Sequence, residues 1–149
     1  MTRTSELRRA TIDDAEAIAN IIRGLESNAG FPEGYDAERV KEWIKRLGEQ
    51  GCILLATDGS IPVAFGALDY NTMESDTATL GVWVLPEHRR RGLATDIAEG
   101  LLAFARDSGY QRIRGRLPDG NEPALSFLSS IGAMVPLRNP KMRFELPLH

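Results

Sequence analysis

Cysteine is almost absent from this chain. Cys52 stands alone among 149 residues, so no disulfide can close within it, and a reducing, cytoplasmic setting is expected. Histidine is scarce too. His88 and His149 are too far apart to offer metal-ligand spacing, and no metal is expected. No run of about 18 apolar residues exists to span a bilayer. The N-terminal stretch MTRTSELRRATIDD has no apolar h-region, so an unexported protein without a membrane partner is expected. Positive charge is not in excess either: 18 Lys and Arg against 21 Asp and Glu give a net charge of −3, which opposes a global attraction for nucleic acid. Any basic site must be local.

Repeats, low-complexity tracts and a linker are also missing. With 42% hydrophobic residues, the chain can bury one core, and residues 1–149 are expected to form a single domain. Its pattern predicts an α/β fold. A short strand near Glu6–Arg9 leads to Thr11 and Asp14 at N-cap and N3 spacing, then Ile18, Ile21, Ile22 and Leu25 on one helical face. Asp36 caps a second helix with the stripe Val40, Trp43, Ile44 and Leu47, stopped at Gly48. Cys52–Thr57 and Ile61–Tyr70 form a hairpin about Asp58-Gly59-Ser60, and Asp76–Leu85 forms the next strand, ended by Pro86.

From Leu93 the period turns helical, with Ile97, Leu101, Phe104 and Ala105 on one face and Gly109 past the end. Gln111–Leu117 then reads as a strand. Strand, crossover helix and strand make a right-handed parallel unit, so the sheet is mixed. A helix near Pro123–Ser130 and strands near Ala133–Leu137 and Lys141–Leu146 close the chain. The expectation is about six to seven strands flanked by about four helices.

The chemistry concentrates at Leu85-Pro86-Glu87-His88-Arg89-Arg90-Arg91-Gly92-Leu93-Ala94-Thr95, where a strand ends, a basic turn follows and a helix begins after a glycine. A helix N-terminus carries unpaired N–H groups and partial positive charge, both suited to phosphate. Gly92 permits close approach, and Arg89, Arg90 and Arg91 add guanidinium forks that match phosphate oxygens. The same arginines also fit a solvated charge run or a short nucleic-acid patch. Neither GxxxxGK[ST] nor GxGxxG fits the junction.

The strand LGVWV, the Pro-Glu-His step and R-x-x-G-x-A at Arg89, Gly92 and Ala94 resemble the acetyl-CoA motif [QR]-x-x-G-x-[GA] of the GNAT N-acetyltransferase superfamily. Downstream, Asn121-Glu122-Pro123-Ala124-Leu125-Ser126-Phe127-Leu128-Ser129-Ser130-Ile131-Gly132-Ala133 resembles that family's second motif, N-x-x-A-x-x-[LF]-[YF]-x-x-x-G-[FA]. The resemblance implies an acetyl-CoA-dependent N-acetyltransferase acting on an amine-bearing small molecule or peptide, with two parallel strands splayed around CoA. It places the pyrophosphate on the N–H groups around Arg91, Gly92, Leu93, Ala94 and Thr95, and the pantetheine arm on the main chain of Trp83, Val84 and Leu85. Asn121 would contact the cofactor, although the same residue suits an N-cap. Val84 N–H becomes the oxyanion donor.

Many members of the family carry a tyrosine acid where this chain has Leu128, which cannot donate a proton. Ser126 and Ser129 are then the hydroxyl candidates, alongside water and an unassisted thiolate of pKa about 8.5. Glu74, Asp76 and Asp69 are base candidates or solvated hairpin charges. The Leu128 departure also motivates a second reading, a non-catalytic acyl-CoA sensor. Arg112, Arg114 and Arg116 alternate along one strand and suit either the CoA 3′-phosphate or a solvated face. Phe31, Glu33, Tyr35 and Asp36 lie where the family builds acceptor pockets, or are simply a packed loop. Cys52 reads as a core residue and His88 as a turn residue. The closing strands and the Pro136–Pro140 loop offer surfaces for a homodimer.

Overall fold

The computed structural model describes residues 5–25, 31–89, 92–116 and 143–147. Among the described residues six strands form one mixed sheet in chain order: β1 (Ser5–Arg9), β2 (Cys52–Asp58), β3 (Ile61–Tyr70), β4 (Thr77–Val84), β5 (Arg112–Arg116) and β6 (Arg143–Pro147). Every neighbouring pair is antiparallel except β4 and β5, which run parallel across the helical crossover, as the strand–helix–strand order requires. The last strand ends at Pro147, where Leu146 was expected, and pairs Pro147 with Arg112. The expected strand at 133–137 and helix at 123–130 lie outside the described residues.

Three α-helices accompany the sheet among the described residues: α1 (Ala15–Arg23), α2 (Ala37–Leu47) and α3 (Leu93–Asp107). The first helix starts later than the periodicity suggests, because Ile12–Asp14 form a 3-10 turn ahead of it. Asp36 caps α2 as expected, its carboxylate accepting the Arg39 N–H at 3.1 Å. Strand alternation sends Leu80, Val84, Ala64 and Cys52 to the α3 side and Phe65, Ala67, Ile53 and Leu55 to the α1–α2 side, so the sheet is buried on both faces. The approach of α3 is close at Gly66, where an added Cβ would stand 2.3 Å from Ile97 Cγ2. That contact sets the height of α3, and therefore of its N-terminus, over β3 and β4.

Asp14 is the one buried carboxylate among the described residues, 7% exposed. Its oxygens accept both guanidinium nitrogens of Arg8, at 2.9 and 2.5 Å, and the Thr11 N–H at 2.8 Å, which ties β1 to the start of α1. Burial alone would raise its pKa, but the bonds from Arg8 and Thr11 outweigh burial and hold it below the usual value of 3.8. A carboxylate held below its unfolded pKa adds stability above that pKa and loses it as pH falls through the folded value. Urea unfolding from about pH 5 down to about pH 2 should therefore show a loss of stability in the wild type that is smaller in Asp14→Asn.

Candidate functional site

The turn after β4 is built by its own sequence. Pro86 cannot continue the strand ladder, and Pro86–His88 form a 3-10 turn in which the His88 N–H donates to Leu85 O at 2.9 Å. Gly92 then takes φ 79 and ψ 5, a left-handed conformation that turns the chain into α3. The first helical bond at this end runs from Asp96 N–H to Gly92 O, at 3.1 Å. Leu93, Ala94 and Thr95 precede it, so the helical ladder supplies no acceptor for their N–H groups. Three donors and the positive end of a 15-residue helix converge where the sequence anticipates an anion. Arg90 and Arg91 lie outside the described residues.

Beside this turn, among the described residues, β4 runs on past its pairing with β5. Pairing between β4 and β5 covers only Thr77 to Leu80, from Thr77↔Arg112 to Leu80↔Gly115, whereas β4 stays paired to β3 as far as Val84. Among the described residues, Gly81–Val84 thus have a strand on one side only. The Leu85 N–H donates to Val63 O on β3 at 3.0 Å, and its C=O accepts from His88. Backbone groups alternate sides along a strand, so Trp83 shares the β3 side and Val84 faces the other. Of Trp83, Val84 and Leu85, the three expected to offer main-chain groups to a ligand, Val84 directs its N–H away from β3 while Trp83 and Leu85 direct theirs toward it.

The carboxylate candidates are elsewhere. Glu74 and Asp76 precede β4, and its eight residues put its first residue about 23 Å from Val84 at ~3.3 Å per residue. Glu74 is occupied by Arg114 at 2.6 Å, and Asp76 by the Thr77 hydroxyl at 3.0 Å. Asp69 accepts Trp43 Nε1 at 3.1 Å and both terminal nitrogens of Arg46, at 2.9 and 2.7 Å. Both base candidates thus sit at the end of β4 remote from Val84, Glu74 in an ion pair and Asp76 with a hydroxyl partner. Arg114 pairs with Glu74. Asn121, Ser126, Leu128 and Ser129 lie outside the described residues.

The loop residues do gather, with partners that a linear pattern cannot supply. Phe31 sits 4.9 Å from Trp83, 5.3 Å from Tyr35, 6.0 Å from Phe65 and 6.1 Å from Trp43, ring centroid to centroid. Trp83 and Phe65 stack at 5.0 Å. Burial raises the Tyr35 pKa, so its hydroxyl stays protonated at neutral pH. The cluster covers the α1–α2 face of the strand that carries Val84. Cys52 is buried in the α3-side core, where burial lifts its thiol to about 11, as suits a core residue and not a nucleophile.

The described residues contain no group of three or more His, Cys, Asp or Glu placed to hold a metal, and no helix long and apolar enough to cross a membrane. The family model for the acetyltransferase (GNAT) domain matches residues 5–134. No curated protein matches the chain in sequence. Among solved structures, an N-acetyltransferase of Staphylococcus aureus Mu50 is 15% identical with TM-score 0.82, covering 97% of this chain and 99% of that one. A ribosomal-protein-alanine N-acetyltransferase of Brucella melitensis is 17% identical with TM-score 0.80, covering 96% and 99%. A phosphinothricin acetyltransferase of Sinorhizobium meliloti, in complex with acetyl-CoA, is 16% identical with TM-score 0.79, covering 97% and 89%. At these identities the likeness is one of fold.

Proposed function

This chain belongs to the GNAT acetyltransferase family, and from that membership we propose that it is an N-acetyltransferase moving the acetyl group of acetyl-CoA to a primary amine of a small molecule or peptide. The observation that carries this reading is the junction of an open strand edge at Val84 with a glycine-led helix N-terminus, which suits a chain of amides ending in a diphosphate. The N–H groups of Leu93, Ala94 and Thr95 take the diphosphate, with Arg89, Arg90, Arg91 and Gly92 completing the turn. The amides of the pantetheine arm lie along β4, and Asn121 adds a contact.

The amine attacks the thioester carbonyl carbon directly within a ternary complex. A C–N bond forms, the C–S bond breaks, the thiolate leaves with the sulfur electron pair, and the proton lost from nitrogen passes to solvent. Negative charge gathers on the carbonyl oxygen in the transition state, and the Val84 N–H, which points away from β3, donates a hydrogen bond to it. In this reading the nucleophile arrives as the neutral fraction of an amine whose pKa is near 10. Ser126 and Ser129 remain the hydroxyls proposed to hydrogen-bond the leaving thiolate, which takes its proton from solvent.

Amine-dependent release of free thiol from acetyl-CoA, followed across small-molecule amines and peptides, tests the proposal. Release with at least one acceptor, and a matching acetylated product by mass, is the expected result. Leu128 favours one second reading, an acyl-CoA sensor. Stabilisation by acetyl-CoA with no thiol release from any amine would establish that reading and overturn the first.

A further inference from the structure

Among the described residues, the last peptide of β4 has a strand on one side only, yet that peptide is held at both ends. Its N–H, on Leu85, donates to Val63 O at 3.0 Å, and its C=O, on Val84, accepts from Arg89 Nε at 3.1 Å. A side chain five residues downstream therefore does what a β5 residue would do in a continued ladder. The consequence reaches Val84 itself. With the following peptide clamped and the preceding one paired through Trp83 and Phe65, the Val84 N–H is aimed away from β3 before any ligand arrives.

We infer that Arg89 is a positioning residue for transfer, holding the Val84 carbonyl so that the adjacent N–H stands ready at the reacting carbonyl, in addition to any charge it contributes toward a diphosphate. The inference rests on the acetyltransferase reading. Preorganised donors count because their orientation costs nothing at the moment of reaction. A donor left to rotate with a frayed strand end would have to be ordered in every turnover. The Arg89 bond also withdraws the Val84 C=O from competition, so an incoming amide chain meets a donor at this residue and must find its acceptor elsewhere.

Two substitutions separate this role from charge. Glutamine carries its Nε2 donor the same number of bonds from the main chain as the Nε of arginine, but has no charge. Lysine keeps the charge and puts a methylene, Cε, at that position. With S-acetylpantetheine, a donor that lacks the diphosphate, Arg89→Gln should keep kcat within about threefold of wild type, and Arg89→Lys should lose about tenfold, the worth of one hydrogen bond from a charged donor. A residue that serves only a phosphate would leave both variants unchanged with that donor and would rank Lys above Gln with acetyl-CoA. Amide hydrogen exchange in the protein alone gives a second readout. Leu85 should exchange about tenfold faster in Arg89→Lys than in wild type or Arg89→Gln. The Phe65 amide, in the middle of β3, reports that each variant is folded.

Lys ranking at or above Gln with S-acetylpantetheine, or equal Leu85 exchange in all three proteins, overturns the inference and leaves transfer from acetyl-CoA intact. Wild-type protein inert toward both donors overturns the acetyltransferase reading instead, and the exchange comparison still decides what Arg89 holds.

Discussion

Gly92→Val should abolish the rise in melting temperature that acetyl-CoA gives the wild type. At 100 times the dissociation constant, a ligand that binds only the folded state stabilises it by about 2.7 kcal/mol, a shift of several degrees for a chain of this size. Gly92 holds φ 79, a region in which a β-branched residue is a steric outlier. Valine must either stay there at a cost of ~1–3 kcal/mol or rotate the backbone, which turns the Leu93, Ala94 and Thr95 donors away from a common point. The two effects are read separately: the melting temperature without ligand reports strain, and the ligand-dependent shift reports the site. Gly92→Val that keeps the full shift would refute the assignment of this turn to the diphosphate.

Phe65→Ala should be the most destabilising single truncation in the sheet, at about 3–5 kcal/mol. Phe65 is 0% exposed, stacks on Trp83 and touches Phe31 and Trp43, so its removal opens a cavity ringed by three rings that cannot all close on it. Against a total stability of roughly 5–15 kcal/mol this is a large share. The urea midpoint gives the value. A loss under about 1 kcal/mol would mean that Phe31 and the loop collapse into the space and that the cluster is not rigid. Phe65→Leu, which keeps most of the volume, should recover much of the loss.

Much of this protein is legible in one dimension. The caps and stripes of α1 and α2, the β2–β3 hairpin and the Pro86 stop are local, set by residues a few positions apart, and the structure reproduces them with shifts of up to three residues at the ends. The parallel β4–β5 pairing follows as well, since a strand–helix–strand crossover has one common hand. The Thr77 start of β4, one residue after the expected Asp76, reflects Asp76 turning its C=O to the Gln111 and Arg112 N–H groups. Periodicity carries no information about such a bond, because its two ends are far apart along the chain.

The site divides along the same line. By itself the sequence determined that the stretch from Leu85 to Thr95 runs from a strand end through a glycine to a helix start, because each of those is a local choice of backbone conformation, and that determination leads to the acetyltransferase family. It also placed acidic residues at the mouth of β4, where charge and proximity in sequence made them candidate bases. Only the tertiary structure shows where they stand: strand direction carries Glu74 and Asp76 to the end of β4 away from Val84, and Arg114 pairs with the first. It decided, too, that one backbone residue of the three expected, Val84, directs its N–H away from β3, since the direction of an N–H depends on which neighbour its alternate peptides pair with. The contact from Arg89 to the Val84 carbonyl belongs with these, because a turn's sequence gives its conformation while the partner of its side chain is set by where the strand beside it stops.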